Sequence, residues 1–187
     1  LHRFRTTGKG PLWALPLLQV VWVNSHGSHI LGVALPLLFV AGEAVARLRP
    51  RVLTPVERCP KPPGRAAAEL AGTSLACAAA TTLNPQGLAA FAFPFQVAAL
   101  DVYLGRIGEW QPLSLELLAG FGARYTWPFS VLVALGLVGL ILRGRRIHPV
   151  DLLLFGVFLA LVARGVRLIP EFAIATLPGT FLHLSGL

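Results

Sequence analysis

Residues 11–42 read PLWALPLLQVVWVNSHGSHILGVALPLLFVAG, two almost unbroken apolar runs on either side of the turn Val23-Asn24-Ser25-His26-Gly27-Ser28-His29. The turn gathers an amide, two hydroxyls and two imidazoles at one point of a chain that is otherwise greasy around it. Apolar runs joined by a short polar turn predict a helical hairpin, because a helix satisfies its own backbone in a medium that offers no hydrogen bonds. The runs are short. At 1.5 Å per residue, a helix of fourteen residues covers about 21 Å of a hydrocarbon core about 30 Å thick, so such helices extend into their flanks or end inside the membrane. A turn at that depth persists only against protein or a water-filled cavity.

The same pattern recurs along the chain. Apolar segments fall at 11–23, 30–46, 66–83, 126–142, 150–163 and 168–185, with a half-apolar stretch at 86–104. Pro11, Pro16, Pro36, Pro128, Pro149, Pro170 and Pro178 mark helix starts and kinks, which membrane helices tolerate when neighbours satisfy the freed carbonyls. The stretch 86–104, aromatic-rich and broken by Pro94, reads as an interfacial helix. The expected fold is all-α: a polytopic helical bundle with about five or six transmembrane segments and one interfacial helix, forming a single domain over 1–187.

Composition agrees with this. Of 187 residues, 55% are hydrophobic and 13% charged, and the mean hydropathy is +0.70. A soluble domain has about 45–50% apolar and about 25% charged residues. The net charge of +8, from 16 basic and 8 acidic residues, would point to nucleic acid on a soluble face; here the bases flank apolar segments, so no nucleic-acid partner is expected. Arg3, Arg5 and Lys9 precede the first segment, Arg47, Arg49, Arg51, Arg58, Lys61 and Arg65 follow the second, and Arg143, Arg145 and Arg146 follow the fourth. If segments alternate and 86–104 does not cross, these twelve share one side, and Arg106, Arg124, Arg164 and Arg167 the other. The positive-inside rule then puts the N-terminus, the basic Pro-rich 47–65 loop and the 143–149 turn in the cytoplasm, and the 84–125 loop outside. Cys59 and Cys77 lack the spacing of a metal site and read as free thiols. The chain holds no Met and starts at Leu1, so it is expected to be processed or a piece of a longer product, and its first apolar run lacks the cleavage site of a secretory signal.

With this topology three polar clusters share the outer face: Asn24–His29, the NPQG turn at 84–87 with GRIGEWQP at 105–112, and ARGVRLIPE at 163–171. Asn24, His26 and His29 can line a cavity, or Asn24 and Ser28 can simply cap two helices while Gly27 makes the turn. His26 and His29 at i, i+3 could touch one metal, but no carboxylate or third His is near in sequence, so neither a metal nor another cofactor is expected. Asn84-Pro85 ends a helix and turns the chain, which needs no function. Glu109 could orient a sugar hydroxyl or act as a base, and Trp110 could stack on a sugar ring or belong to the interfacial aromatic belt. Arg164 and Arg167, three apart at the outer end of an apolar helix, either snorkel to headgroups or hold a phosphate bidentately.

The stretches LWALPLLQVVWVNSHGSHILGVALPLL, TTLNPQGLAAFAFPF, IGEWQPLS and RLIPEFAIATLP resemble bacterial polytopic membrane proteins related to GT-C glycosyltransferases of the dolichyl-phosphate-mannose-transferase type. In that family a W-x-N-x-H-G turn, an N-P-x-G turn and an E-W-x-P loop follow one another in this order. The resemblance covers the family's middle and later helices. It implies an enzyme of the bacterial inner membrane that takes a sugar from a polyprenyl-phosphate carrier, with a catalytic carboxylate in an early outer loop. That loop has no counterpart here and would lie upstream of Leu1, so no catalytic residue is assigned. Glu171 stands where the family has an apolar residue. On this reading Arg164 and Arg167 grip the carrier phosphate, Asn24, His26 and His29 line the floor of an outward-facing cavity, and Glu109 with Trp110 meets the sugar or acceptor. The alternatives are a transporter or flippase-like component that moves a lipid phosphate without chemistry, and a structural membrane subunit.

Overall fold

The computed structural model describes residues 1–48, 59–99, 108–114 and 123–185. Among the described residues all regular structure is helical, in eight α-helices joined by short 3-10 turns. The chain divides into two compact units, which in terms of the described residues are 1–48 with 59–99, and 108–114 with 123–185.

The first unit holds α1 (His2–Thr7), α2 (Ala14–Val23), α3 (Ile30–Leu48), α4 (Pro63–Thr81) and α5 (Phe93–Ala98). Pro63 begins α4 at the first helical position, where a missing N–H costs nothing. Pro36 lies inside α3 and deprives the Gly32 carbonyl of its helical donor. One residue on, Ser74 Oγ of α4 donates to Val33 O at 2.7 Å, so the neighbouring helix supplies a polar contact one turn before the proline. Both α2 and α3 pack on α4, around Phe39, Leu70 and Cys77. The small helix α1 had no sequence signal in its favour. Its Phe4 is buried beneath the Lys61 ammonium, 4.9 Å from the ring centroid, and His2 meets Phe39 edge-on at 5.2 Å.

The second unit is a three-helix bundle of α6 (Ala123–Arg143), α7 (Pro149–Arg164) and α8 (Ile169–Ser185). Pro149 opens α7 in the same way as Pro63 opens α4, and the His148 ring caps it, its Nδ1 accepting from Val150 N–H at 3.2 Å. α8 packs on both partners. Its Phe172 is fully buried, edge-on to Phe129 at 5.2 Å and to Phe155 at 5.5 Å.

The six apolar segments of the sequence all appear as helices, within a few residues at each end. Gly27–Leu48 and Thr126–Arg143 are long and apolar enough to cross a membrane. α7 and α8, at 16 and 17 residues, and α2, at 10, are shorter than that. The interfacial segment resolves into a 3-10 turn at Gly87–Phe91 followed by the six residues of α5. Large apolar side chains face outward, among them Trp13 just before α2, Leu17, Leu18 and Val21 of α2, Ile141 of α6 and Ile174 and Phe181 of α8. The middle of the 47–65 loop and most of 100–122 lie outside the described residues.

Candidate functional site

At one end of the first unit, the 24–29 turn meets the 84–87 turn. Asn24 Nδ2 donates back to Val20 O at 2.8 Å, closing α2, and across to Leu83 O at 2.9 Å, at the end of α4. In the second turn, Asn84 Nδ2 donates to Thr81 O and to Gly87 O, and Asn84 Oδ1 accepts from Gln86 N–H at 2.7 Å. Gly87 takes φ +56°, which favours glycine. This is the helix-ending turn expected of Asn84-Pro85. Between the two turns lies a cavity of about 340 Å³, whose walls include Asn24, Ser25, His26, His29, Asn84, Gln86 and Phe93.

The two histidines play different parts. His26 is exposed and caps the 3-10 turn Gly27–His29, its Nδ1 accepting from Ser28 N–H at 3.2 Å and lying 2.7 Å from Ser28 Oγ. His29 is buried at the back of the cavity, 2% exposed, with Nδ1 3.2 Å from His26 O and Nε2 3.1 Å from Ala90 O. Both its ring nitrogens face main-chain carbonyls, so the lone pair that a metal needs is not directed at the cavity. Among the described residues no three His, Cys, Asp or Glu side chains gather as a ligand set.

The residue that holds this end together is Gln19, which sequence reasoning passed over. It is 1% exposed, and its Nε2 donates to His29 O at 2.9 Å and to Thr81 Oγ1 at 2.8 Å. One amide thus ties α2 to the start of α3 and to the end of α4, and Thr81 passes the contact on to Cys77 O at 2.9 Å. Gly32 makes room for it, since a Cβ there would overlap Gln19 Oε1. A single amide inside the run PLLQVVW was the available signal, because a polar group in an apolar helix has to find a partner.

The second unit brings the described part of the GRIGEWQP stretch, 108–112, against the exit of α7. Residues 111–113 pair with the exit of α7 through two main-chain bonds, Leu113 N–H to Ala163 O at 3.2 Å and Val166 N–H to Gln111 O at 3.1 Å. The Arg167 guanidinium lies over the Trp110 ring, 3.5 Å from its centroid. Spacing alone would put Arg164 and Arg167 on one helical face. In the structure α7 ends at Arg164, Gly165 turns extended, and Arg167 belongs to the 3-10 turn Val166–Leu168. Arg164 is exposed. The side chain of Glu109 lies outside the described residues.

The other end of this unit holds a further polar contact that the sequence reading missed. Asp151, in the first turn of α7, and His183, in the last turn of α8, meet at 3.2 Å (Oδ2 to Nε2), both side chains under a tenth exposed. Gly179 lets the carboxylate approach α8, since a Cβ there would stand 2.9 Å from Asp151 Oδ1. Arg143 closes the end of α8, donating from Nε to His183 O at 3.2 Å and from Nη2 to Leu182 O at 2.8 Å.

Asn24, His26 and His29 therefore share one cavity in the first unit, while Trp110 and Arg167 form a stacked pair in the second. No family model, curated protein or solved structure matches this chain.

Proposed function

We propose that the chain is an integral protein of a bacterial cytoplasmic membrane, with five or six spanning segments and a cytoplasmic N-terminus. It forms part of a GT-C-like glycosyltransferase that handles a polyprenyl-phosphate-linked sugar at the outer face. The observation that carries this reading is the cavity of about 340 Å³, set into a polar turn at the end of apolar helices and lined by amide, hydroxyl and imidazole groups. Two helices of spanning length and many outward apolar side chains support the membrane setting. In this reading Arg164 and Arg167 serve the carrier phosphate through charge-assisted hydrogen bonds, and Trp110 keeps the Arg167 plane fixed. Glu109 orients the acceptor, and the short helices α2, α7 and α8 reach the interfaces through their flanks.

A second reading, a lipid-phosphate carrier that binds without chemistry, is favoured by the cavity lining. Among the described residues that lining includes no carboxylate to serve as a general base. One experiment separates the two: the chain in nanodiscs is given a polyprenyl-phosphate-linked sugar labelled in the sugar. Saturable binding with release of carrier phosphate supports the transferase, binding without release supports the carrier, and no binding removes both. Topology is tested by cysteines at Gly64 and Gly108, where a side chain meets nothing within 4 Å. The native Cys59 and Cys77 are buried and give little background. A membrane-impermeant reagent added from outside should reach position 108 and not 64; the reverse would invert the topology.

A further inference from the structure

The cavity of the first unit can be characterised by what its polar groups have left to offer. Asn24 spends Nδ2 on two carbonyls, Val20 O and Leu83 O. Asn84 does the same with Thr81 O and Gly87 O. The Ser25 hydroxyl donates to Val21 O, and both ring nitrogens of His29 face carbonyls. Much of the main chain is committed as well. The N–H groups of Ser25 and His26 end on Trp22 O, that of His29 on His26 O, that of Ser28 on His26 Nδ1, and that of Gly87 on Asn84 O. A primary amide has two N–H donors and a carbonyl oxygen with two lone pairs, and a hydroxyl has one donor and two lone pairs. On Asn24, Asn84 and Ser25 the donors are spent, and Asn24 Oδ1 and Ser25 Oγ keep acceptor capacity, while the Gln86 amide at the rim keeps its donors.

This decides which chemistry fits. No Lys or Arg of the described residues lines the cavity, so an anion here would be desolvated without an opposite charge to receive it. An ammonium would find acceptors but no opposite charge, since no carboxylate of the described residues lines the cavity. A hydroxyl-bearing ring gives its O–H groups to the acceptors and lays its C–H face on Val23 and Phe93, which complete the wall. Gln86, exposed at the rim, is an amide placed to donate to a ring oxygen. The volume of about 340 Å³ sits at the small end of ligand sites, which run to about 300–1,000 Å³. We infer that this cavity binds the uncharged, hydroxyl-rich ring of a sugar and discriminates against anions, so that a carrier phosphate is not its ligand. The inference rests on the lipid-linked-sugar reading above and assigns the sugar to Asn24, Ser25 and Gln86.

The test uses saturation-transfer NMR on the chain in phosphatidylcholine nanodiscs, with methyl glucoside as the probe. Glucuronate, glucosamine and inorganic phosphate serve as competitors at equal ionic strength. Methyl glucoside should bind, and glucuronate and phosphate should fail to displace it. Ser25→Ala, checked for unchanged helicity, should weaken binding about fivefold, the loss of one hydrogen bond of about 1 kcal/mol at 1.4 kcal/mol per decade. Gln86→Ala, at the exposed rim and outside the turn's hydrogen bonds, should also weaken it. Displacement by phosphate or glucuronate, tighter binding of glucosamine, or affinity indifferent to both substitutions would overturn the inference. A polyprenyl-phosphate-glucose analogue is titrated in the same discs. If it binds with no response to Ser25→Ala or Gln86→Ala, the inference falls and the reading above stands. If methyl glucoside follows the expected pattern while the analogue does not bind, the inference stands and that reading falls.

Discussion

The two units solve one problem with different chemistry. Each packs three apolar helices and each needs a polar contact to fix how they meet. The first uses a neutral amide, Gln19, whose bonds to His29 O and Thr81 Oγ1 cost little desolvation and need no particular charge state. The second uses an ionisable pair, Asp151 with His183, each side chain under a tenth exposed. Neutral amides in a membrane interior are modest glue; buried charges tend to be kept where a function needs them. The difference extends to the polar ends. The turns of the first unit lock through side chains and leave acceptors, while those of the second lock through the main chain and keep arginines.

The largest effect should come from breaking the ionisable pair. Removing one partner of a buried pair costs about 3–5 kcal/mol, because the other charge is left uncompensated, whereas removing both can be close to neutral. His183→Leu should be the worse of the two single changes. It takes the donor at 3.2 Å from a buried carboxylate, the costlier of the two groups to bury uncompensated. Unfolding in mixed micelles with rising dodecyl sulfate, followed by circular dichroism, should show both losses and substantial recovery in the double Leu variant. Strictly additive losses would mean that the pair is not a unit and would erase the contrast with Gln19.

That pair also marks where sequence reading ran out. The helices were legible because apolar runs bounded by Pro and polar turns leave few alternatives, and 30–46 and 126–142 return almost unchanged as α3 and α6. The NPQG turn was legible for the same local reason. Asp151 and His183 were not, since they stand 32 residues apart on different helices and only packing brings them together. Gln19 was hidden as one amide among aliphatic neighbours. That Arg164 and Arg167 do not share one helical face was not legible, because spacing assumes a continuous helix, and Gly165 ends it between them. Asn24, His26 and His29 were found together, but the inward turn of His29 depends on Ala90 O, a contact 61 residues away.

The next effect is smaller and falls on the amide. Gly32→Val places a branched side chain where Gln19 Oε1 sits, and overpacking of this kind costs about 1–3 kcal/mol. Gly72→Ala in α4 is the control, since nothing lies within 4 Å of its added Cβ, and it should be neutral or slightly stabilising. The same micelle titration reads both. A Gly32→Val chain as stable as Gly72→Ala would show that Gln19 can move aside and that its bonds do not set the helix spacing.

The remaining effects fall on ligand binding at the arginine end and leave folding alone, and they sharpen the contrast between acceptors in one unit and cations in the other. Hydrogen bonds to a charged group contribute about 1.5–3 kcal/mol, so Arg167→Ala should weaken binding of a polyprenyl-phosphate analogue about tenfold or more, at 1.4 kcal/mol per decade. Arg167→Lys should recover part of this, keeping the charge but losing the planar fork. Trp110→Leu should cost less still. The indole contributes through its contact with the guanidinium, 3.5 Å from ring centroid to Cζ, and such contacts are worth about 0.5–1 kcal/mol when exposed. That is a loss of about two- to fivefold. The decisive comparison is between these variants in one titration, because stacking acts on the phosphate only through Arg167. If Trp110→Leu weakens binding in the wild-type background but not in the Arg167→Ala background, the indole is a positioning group for the arginine. If it weakens binding equally in both, Trp110 touches the ligand itself. If all three single variants bind the analogue as wild type does, the stacked pair serves the fold alone, and the phosphate has to be sought elsewhere in the chain.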